Sequence, residues 1–560
     1  MSISRLLVVG WDGAEPSLVE PLIESGRLPN LAGLIAGGTF GRVNSTFPAS
    51  SLPAWTAAFS GLGPSKHGLV DFVRKQPGQY RLRLVSAAER SGTSLARIAM
   101  ASGLKVASLG IPGTFPPDPA GGICIAGFDS PTATRASTRA HNPAGLFKRL
   151  KAAGLYWPYG AADELAVGAG WHANTRRILF ETIEQKTKVA EALLDGSRFD
   201  LFSIIFSESD TAGHHFWAFH DQNSPRQRVK NPVLATTIED VYIALDRALG
   251  RLLARTSKST SVIVLSDHGF GGSSDHTFCL NRWLAAQGRL RFSAFLGKLA
   301  QLSGFIQDQA GRFLPATVKQ ALLRGPFSRL VMAADGLGRF GGIDFSATEA
   351  FCDELPQNPG IWINLAGRES QGTVPAERYQ SLRKEIADSL IDWRDPLSGR
   401  AIVANVFFRE DVMAGPFTGR APDLMLELAD WDGYRLLASP SAGRMGPIVE
   451  RLAEDKLIGS KGTGTSGVHK PEGILAACGP SVKTGTKIEN ARLVDVCPTA
   501  LALLGLRSPP DLDGHSLTQI ASECAAEGQS PACSAQAGQA VYSPEEEKLV
   551  LKRLKGLGYL

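Results

Sequence analysis

The chain has 560 residues, of which 43% are hydrophobic, so it can bury a large core and has the composition of an ordinary soluble globular protein. Its net charge of +5 is small for this length and argues against a dedicated nucleic-acid-binding surface. No apolar run approaches the ~20 residues that cross a bilayer, which argues against a membrane-spanning segment.

Short apolar runs rich in β-branched residues alternate with helical patterns along the chain. Strands are predicted at residues 6–10, 105–109, 122–126, 199–206, 261–266, 361–365, 401–406, 423–427 and 473–478. Helices are predicted at residues 17–35, 53–60, 93–102, 173–194, 233–255, 376–392 and 494–504. Many of the strand runs are apolar throughout, as expected for strands buried on both faces. The alternation predicts an α/β fold with a doubly wound, mostly parallel central sheet flanked by helices.

Four stretches depart from this alternation. Residues of about 128–171 and about 292–343 are predicted to be insertions of loops and helices, which could form a cap or lid over a site. Small polar residues at 521–542 predict a linker. Residues 543–560 predict a C-terminal helix, because they begin with Ser-Pro and their acidic residues precede their basic ones.

The N-terminus and the cysteines bear on location. Residues 1–10 lack the basic segment and cleavage site of a signal peptide and predict a first strand instead. The seven cysteines are odd in number and scattered, without a CxxC pair, which favours a reducing compartment. We therefore expect a cytoplasmic protein.

Three aspartates follow predicted strands. Asp12 comes after the first strand, Asp210 after the strand at 199–206 and Asp267 after the strand at 261–266. One aspartate in such a place is commonly a helix cap or turn residue. Because the carboxyl ends of parallel strands meet at one edge of a sheet, we expect these three carboxylates to converge there.

Three histidines accompany the aspartates. His214 is four residues after Asp210, a spacing that could place both on one face of a helical turn. His268 is next to Asp267, and Gly269 is expected to supply the bend that lets both serve one site. The third is His469, in a loop before the last strand. Carboxylates combined with imidazoles suit zinc or manganese better than magnesium or calcium.

Ser51 is the candidate nucleophile. It stands before a predicted helix that begins at Pro53, so we expect Ser51 at the N-cap, where helix N–H groups could face a phosphoryl oxygen. A serine hydroxyl is a weak nucleophile, and a metal ion would stabilise its alkoxide. The alternative is a plain serine cap.

A series of motifs gives these residues a common context. The motifs are Val-Val-Gly-Trp-Asp-Gly at 8–13, Leu-Pro-Asn-Leu at 28–31, the segments 47–56 and 61–68, Asp210 to His214, Ser-Asp-His-Gly-Phe at 266–270, Gly-Val-His at 467–469, and the segments 495–505 and 511–514. In their order and spacing over about residues 5–520 they resemble the type I phosphodiesterase/nucleotide pyrophosphatase branch of the alkaline phosphatase superfamily. The resemblance implies an alkaline-phosphatase-like catalytic domain over residues 1–520 and hydrolysis of a small-molecule phosphate ester.

The resemblance also implies roles for single residues. It implies two divalent ions, zinc or alternatively manganese, one bound by Asp210, His214 and His469 and the other by Asp12, Asp267 and His268. The oxygen of Ser51 would be a further ligand of the second ion. Ser51 would attack phosphorus in line and form a covalent phospho-serine, which water then hydrolyses.

Ala54 departs from the family pattern. The nucleotide pyrophosphatases often carry an asparagine three residues after the nucleophile, in contact with a phosphoryl oxygen. Loss of one such donor can cost ~3 kcal/mol of transition-state stabilisation. The donor would then be a backbone N–H group or Asn44, and His276 is a second candidate substrate contact.

Other functions stay open at this point. A phosphomonoesterase or a phosphonate or sulfate ester hydrolase of the same superfamily is the enzymatic alternative. A true sulfatase is disfavoured, because Trp55 stands where the C/S-x-P-x-R motif needs arginine. A non-enzymatic, metal-bound binding module is disfavoured because no proposed ligand is missing. The sequence predicts no oligomeric state.

Overall fold

The computed structural model describes residues 4–118, 121–130, 139–159, 167–168, 170–293, 340, 342–459, 463–521, 542, 546–547 and 550–551. Most of the predicted insertion at 292–343 therefore lies outside the described residues. So do nearly all of the linker predicted at 521–542 and most of the helix predicted at 543–560. The division into domain, linker and terminal helix stays a prediction.

Twenty strands are described. In chain order they are β1 (Arg5–Trp11), β2 (Gly38–Asn44), β3 (Val73–Lys75), β4 (Leu82–Leu84), β5 (Val106–Ile111), β6 (Ile123–Ala126), β7 (His141–Asn142), β8 (Leu201–Phe206), β9 (Thr260–Leu265), β10 (Gly269–Phe278), β11 (Ala350–Cys352), β12 (Gly360–Ile363), β13 (Val403–Phe408), β14 (Leu424–Leu428), β15 (Asp430–Trp431), β16 (Tyr434–Ala438), β17 (Val449–Arg451), β18 (Gly467–Lys470), β19 (Glu472–Cys478) and β20 (Lys487–Arg492).

Fourteen α-helices are described. They are α1 (Pro16–Glu24), α2 (Pro29–Ala36), α3 (Ser51–Ser60), α4 (Pro64–His67), α5 (Leu95–Ala101), α6 (Leu146–Ala152), α7 (Trp171–Gly196), α8 (Glu208–His220), α9 (Pro232–Ala235), α10 (Thr237–Leu253), α11 (Leu280–Ala286), α12 (Tyr379–Asp392), α13 (Arg409–Val412) and α14 (Val496–Leu503). Short 3₁₀ turns lie at Ala87–Glu89, Phe345–Ala347, Ala376–Arg378, Thr418–Arg420, Glu454–Lys456 and Leu493–Asp495. Within the described part of the chain, no helix is both long and apolar enough to cross a membrane.

Nine strands form the central sheet, in the order β20-β2-β19-β9-β1-β8-β5-β6-β7. The neighbours from β9 to β6 are parallel to one another, and β2 is parallel to β20. Strand β19 is antiparallel to both of its neighbours, and β7 is antiparallel to β6. The prediction of a mostly parallel central sheet is confirmed.

Helices cover both faces of this sheet, because the strand residues alternate between two cores. Leu7, Val9 and Trp11 of β1 belong to a core with residues of α1, α2, α7, α8 and α10. Leu6 and Val8 of the same strand belong to a second core with residues of α3, α5 and α14. A strand buried in this way on both faces shows a continuous apolar run instead of an alternating one.

Three of the predicted strands join a different sheet. The runs at 361–365, 401–406 and 423–427 correspond to β12, β13 and β14, which with β11 form a four-stranded antiparallel sheet. This sheet has its own core, to which α12 contributes. Local apolar runs indicate that a strand forms, but the choice of sheet depends on packing between distant segments.

Some boundaries differ from the sequence predictions. The single helix predicted at 17–35 is two helices, α1 and α2, because Gly26 has a left-handed φ of 71° and Pro29 begins a new helix. Eleven of the twenty described strands were not predicted, among them β2, β10, β18 and β20, and His469 lies in β18 instead of the expected loop. Strand β10 is rich in Gly and Ser, so it lacks the β-branched signature that identifies most strands.

Candidate active site

The three aspartates of the sequence prediction lie at the carboxyl ends of adjacent strands. Strand β1 is parallel to β8 on one side and to β9 on the other. Asp12 directly follows β1, Asp267 follows β9 after one serine, and Asp210 lies in the first turn of α8, just after β8. All three are buried, with at most 3% of any of them exposed. Sheet topology therefore brings the three carboxylates together.

Short backbone contacts fix the loops that hold Asp12 and Asp267. The N–H group of Gly13 donates to Oδ1 of Asp267 at 3.1 Å. Gly13 has a φ of 68°, and a Cβ atom there would lie 2.5 Å from the ring of Phe270, so another residue would be strained and crowded. The hydroxyl of Ser209 donates to the carbonyl oxygen of Asp12 at 2.6 Å.

Helix α8 and strand β18 bring two of the histidines to Asp210. Its Oδ1 lies 3.3 Å from Nε2 of His214, one helical turn later, and 3.2 Å from Nε2 of His469. His469 is in β18, where it is the register partner of Phe270 in β10. A residue 259 positions away in sequence thus reaches Asp210 through a pair of strands outside the central sheet.

His268 lies between the carboxylates. Its Nε2 is 3.5 Å from Oδ1 of Asp12 and 3.5 Å from Oδ2 of Asp267. The bend that we expected at Gly269 is at Asp267, and Gly269 is already the first residue of β10. Glycine is needed there for space, because a Cβ atom would lie 2.1 Å from the carbonyl oxygen of Glu472.

The three histidines have the same hydrogen-bonding arrangement. Nδ1 of His214 is 2.9 Å from the carbonyl of Gly467, and Nδ1 of His469 is 2.8 Å from that of Ala49. Nδ1 of His268 is 3.1 Å from the carbonyl of Gly269. A carbonyl only accepts, so each Nδ1 carries the proton and each Nε2 of a neutral ring offers a lone pair. Such contacts orient imidazoles for metal binding.

The cluster has the properties of a cation site. Nε2 of His214 is 3.0 Å from Nε2 of His469, so two lone pairs would face each other without a cation or a shared proton. Oδ2 of Asp267 is buried and has no hydrogen-bond partner among the described residues. The ion pairs described for Asp267 and Asp12 involve only His268. The donor set therefore fits divalent metal ions.

Two overlapping groups of three residues have the spacing for one ion each. One is Asp210, His268 and His469, and the other is Asp12, Asp267 and His268. The second is the group expected from the sequence. In the first, His268 stands where His214 was expected, although His214 is also within 3.3 Å of Asp210. The assignment of ligands to each ion stays a prediction.

Without a bound cation, burial and mutual repulsion disfavour the charged forms of the aspartates and histidines in the cluster. Burial, together with Asp267 and Asp210, raises the pKa of Asp12 well above its usual range. Burial raises the pKa of Asp267 to about 8. Burial and the neighbouring His268 lower the pKa of His469 to about 4. A divalent cation would favour the opposite protonation states, with ionised carboxylates and neutral imidazoles.

These shifts predict how the stability of the chelated protein depends on pH. The unfolded chain releases the proton of Asp267 near pH ~3.9, whereas the folded chain holds it to about pH 8, so stability falls as pH rises over this range. The lowered pKa of His469 has the opposite effect, but only below pH ~6.5. We therefore expect the urea midpoint of the chelated protein to decrease between about pH 6.5 and 8.

Asp267→Asn is the matched variant for this measurement, because it keeps the side-chain shape and removes the ionisable group. Its urea midpoint should change less over the same pH range than that of the chelated wild type. Equal slopes for the two proteins would contradict the assignment of the effect to Asp267.

Ser51 lies against this cluster, at the start of α3. Its Oγ is 3.2 Å from Oδ1 of Asp12 and 3.3 Å from Nε2 of His268, and the residue is fully buried. The prediction that Ser51 is the N-cap is wrong. Ser50 is the N-cap, with extended backbone angles, and Ser51 is the first helical residue. The hydroxyl of Ser51 is thus directed to Asp12 and His268 instead of capping the helix.

Trp55 is a site residue that sequence reasoning missed. Its indole Nε1–H donates to Oδ2 of Asp12 at 2.8 Å, so the two oxygens of Asp12 contact Trp55 and Ser51 separately. The available signal was the spacing of four residues between Ser51 and Trp55, which places both on one face of a helix.

The two predicted substrate contacts lie elsewhere. Asn44 is exposed at the end of β2, and its amide donates to the carbonyl of Ala491 at 3.4 Å. Nδ1 of His276 is 2.8 Å from Oδ1 of Asp275, and its ring packs near Trp431. None of the contacts described for these two residues reaches the Asp/His cluster, so their roles stay predictions.

The loop between β11 and β12 borders a small cavity next to His469 of the cluster, which the sequence did not indicate and which we call the entrance. The entrance is lined by Ser50, Asp71, Leu355, Pro356, Gln357, Asn358 and His469. Gln357 accepts the backbone N–H of His469 at 3.1 Å through Oε1. Glu354, at a left-handed φ of 56°, anchors the loop by accepting from Asn281 at 2.7 Å and from the N–H of Ser441 at 2.8 Å. Asn358 is half-buried, and its amide makes no hydrogen bond to the described residues.

Comparison with known families identifies the chain. The sequence profile of the type I phosphodiesterase/nucleotide pyrophosphatase family matches residues 6–446. The chain belongs to this family. The match covers Asp12, Ser51, Asp210, His214 and the Asp267-His268 pair, and it ends before His469.

Solved structures extend the comparison to the fold. Phosphonoacetate hydrolase from Sinorhizobium meliloti, in complex with phosphonoformate, has a TM-score of 0.53 and 14% identity, over 90% of this chain and 96% of that one. Human ectonucleotide pyrophosphatase/phosphodiesterase 5 has a TM-score of 0.49 and 14% identity, over 92% of this chain and 100% of that one. A comparison with curated protein sequences gave no match.

Family membership confirms two predictions from the sequence. The fold is alkaline-phosphatase-like, and the chain is a phosphoric ester hydrolase. The family is metal-dependent, and the Asp/His cluster provides groups of residues that could hold the metal.

Proposed function

We propose that the protein hydrolyses small-molecule phosphate esters in a phosphodiesterase/nucleotide pyrophosphatase-like reaction, with Ser51 as covalent nucleophile and two divalent ions, zinc or alternatively manganese. The observation that supports this most directly is the position of the Ser51 hydroxyl. It lies within 3.3 Å of both Asp12 and His268, at the start of a buried helix. A serine with only a structural role in the helix would have no reason to place its hydroxyl between a buried carboxylate and a buried imidazole.

The cluster would bind the ions through Asp210, His214, His469, Asp12, Asp267 and His268. Bound divalent ions neutralise charge on phosphoryl oxygens and lower the pKa of a ligated hydroxyl. Oδ1 of Asp12 accepts the hydrogen bond of the Ser51 hydroxyl and orients Oγ, while Trp55 holds the other oxygen of Asp12. The burial of these residues keeps bulk water away from the nucleophile.

The reaction then takes two displacements. Oγ of Ser51 bonds to phosphorus as the bond to the leaving ester oxygen breaks, which gives a phospho-serine and an alcohol or phosphate product. Water next bonds to the same phosphorus as the bond to Oγ breaks, which restores Ser51. The N–H groups of the first turn of α3 and the positive end of its dipole would stabilise the phosphoryl oxygens.

Ala54 leaves one donor of the family pattern unassigned. Its side chain is fully buried on the core-facing side of α3 and offers no polar group. We assign the role to Asn358, whose amide is unbonded at the entrance that Ser50 and His469 also line. A donor from the β11–β12 loop would then replace one from the nucleophile helix.

Replacing Asn358 with alanine is therefore expected to lower kcat/KM about tenfold or more, mainly through kcat, because a donor to a developing charge is lost. Asn405→Ala is the matched control, since Asn405 is in the same small sheet and pairs with Glu427. Equal activity of the Asn358→Ala variant and the control would contradict the assignment.

An apolar pocket beyond Asn358 supports an ester with an organic leaving group. This pocket shares Asp71, Leu355 and Asn358 with the entrance. Its remaining lining residues are Pro48, Gly68, Val70, Val73, Arg74, Lys75, Leu82, Val85, Asp353, Trp362, Arg420, Pro422 and Met425. Two of its three basic residues are already paired, Arg74 with Glu89 and Lys75 with Glu369, and the cavity holds only about 40 Å³. Its apolar lining therefore suits a small apolar part of the leaving group.

A substrate panel tests the proposed function. Aryl phosphodiesters, phosphomonoesters, phosphonates and sulfates are assayed with added zinc or manganese, and kcat/KM is compared. We expect the diesters to be the best substrates. A preference for monoesters, phosphonates or sulfates would assign the protein to another reaction of the superfamily, and bound metal without turnover of any ester would favour a binding module. The cytoplasmic location stays a prediction.

A further inference from the structure

A second pocket, of about 430 Å³, lies between α3, α5 and the strands β5 and β8. Its volume is within the range of ~300–1,000 Å³ that small organic ligands occupy. None of the aspartates or histidines of the cluster lines it. Trp55 lines it and also donates to Asp12, so the pocket adjoins the candidate active site but is distinct from it.

Arg90 in this pocket has no counter-ion among the described residues. Its Nη1 donates to the carbonyl of Gly113 at 3.3 Å, while its Nε is buried without a hydrogen-bond partner. Burial lowers the pKa of the guanidinium. The nearby acid, Asp118, is paired with Arg97 at 2.5 Å. Arg90 is half-buried, and a partly desolvated cation without a counter-ion among the described residues destabilises a fold, so its presence calls for a ligand or another benefit.

Two serine hydroxyls in the same pocket are also unpartnered. Ser108 of β5 and Ser203 of β8 are register partners on adjacent parallel strands and line the pocket together. Ser203 is fully buried, and its Oγ has no hydrogen-bond partner in the part of the chain that the structure describes. Ser108 likewise makes no side-chain hydrogen bond to the described residues. The hydroxyl of Ser203 is therefore costly to bury unless something binds it.

Much of the rest of the lining is apolar. It includes the side chains of Trp55, Phe59, Met100, Ile111 and Ile123. A ligand that satisfied the polar groups would thus have an anionic end and a hydrocarbon body. One unpaired guanidinium matches a carboxylate, with one charge, better than a phosphate monoester, with close to two.

We propose that this pocket is a second, non-catalytic binding site for a small monocarboxylate with an apolar body. The carboxylate binds Arg90 and the hydroxyls of Ser108 and Ser203, and the body packs against Trp55 and Phe59. The site does not depend on the proposed hydrolysis, because it shares no metal-binding residue with the cluster.

Titration calorimetry with octanoate and with benzoate tests the proposal. We expect the wild-type protein to bind at least one of them and Arg90→Met to bind it at least ~10-fold more weakly. Arg247→Met is the control, because Arg247 is an exposed arginine of α10 that does not line the pocket, and the affinity of this variant should change less than ~3-fold. The affinity of the wild type should be the same with metal and after chelation.

A stability measurement separates a binding role of Arg90 from a structural one. Without the carboxylate, Arg90→Met should have a urea midpoint equal to or higher than that of the wild type, because an uncompensated charge is removed. A lower midpoint would assign Arg90 to the fold and overturn the proposal. The proposal is equally overturned if the wild type binds neither probe, if Arg90→Met binds as tightly as the wild type, or if chelation abolishes binding.

Discussion

Replacing Ser51 with alanine is expected to lower kcat/KM for the best phosphate ester by at least ~10³-fold. Among the described residues, the variant loses the one hydroxyl that lies against both Asp12 and His268, so the covalent step cannot occur. Metal content should stay at the wild-type level, because the six carboxylate and imidazole ligands are intact. The measurement is steady-state kinetics together with elemental analysis of the purified variant.

Ser60→Ala is the matched control for this variant. Ser60 is equally buried and belongs to the same helix, but it is at the opposite end of α3. We expect its kcat/KM to stay close to that of the wild type. Ser51→Thr keeps a hydroxyl and should retain measurable turnover. If Ser51→Ala were as active as the wild type, the serine would not be the nucleophile.

Removal of the metal is expected to reduce catalytic activity by a similar factor. Exhaustive chelation should reduce activity by at least ~10³-fold, since it removes the charge that would stabilise the phosphoryl transition state. Added Zn²⁺ or Mn²⁺ should restore it, and elemental analysis should give two ions per chain. Asp267→Ala should not regain activity on metal addition, because it removes a buried ligand whose Oδ2 has no hydrogen-bond partner among the residues that the structure describes.

Asp246→Ala is the control for the loss of a buried aspartate. Asp246 is as buried as Asp267, but its carboxylate accepts from Asn30 and from the N–H of Leu31 at the start of α2. This variant should be less stable than the wild type and still bind two ions. Full activity of the chelated wild-type protein would exclude a metal-dependent reaction.

The sequence predicts where the carboxylates lie because each aspartate directly follows a strand of the central sheet. Asp12, Asp210 and Asp267 each follow an apolar run, and parallel pairing of the three runs is enough to bring them together. The spacing of Asp210 and His214 similarly needs only one helical turn. These features depend on strand ends and helix periodicity, which short sequence patterns encode.

The remaining parts of the site depend on contacts between distant segments. His469 reaches Asp210 because β18 pairs with the Gly-rich strand β10, which has no β-branched signature. The loop with Gln357 and Asn358 belongs to a separate antiparallel sheet, and a loop sequence does not show which cleft it will border. The sequence around Arg90 does not distinguish it from an arginine on the protein surface. That it lacks a counter-ion among the described residues is visible only once the surrounding side chains are placed.

The stereochemical course at phosphorus tests the proposed mechanism most directly. A phosphorothioate diester of one configuration is hydrolysed in isotopically labelled water, and the configuration of the product is determined. Two in-line displacements, first by Ser51 and then by water, predict overall retention of configuration. Inversion would show that water attacks phosphorus in a single displacement, and it would contradict the assignment of Ser51 as covalent nucleophile.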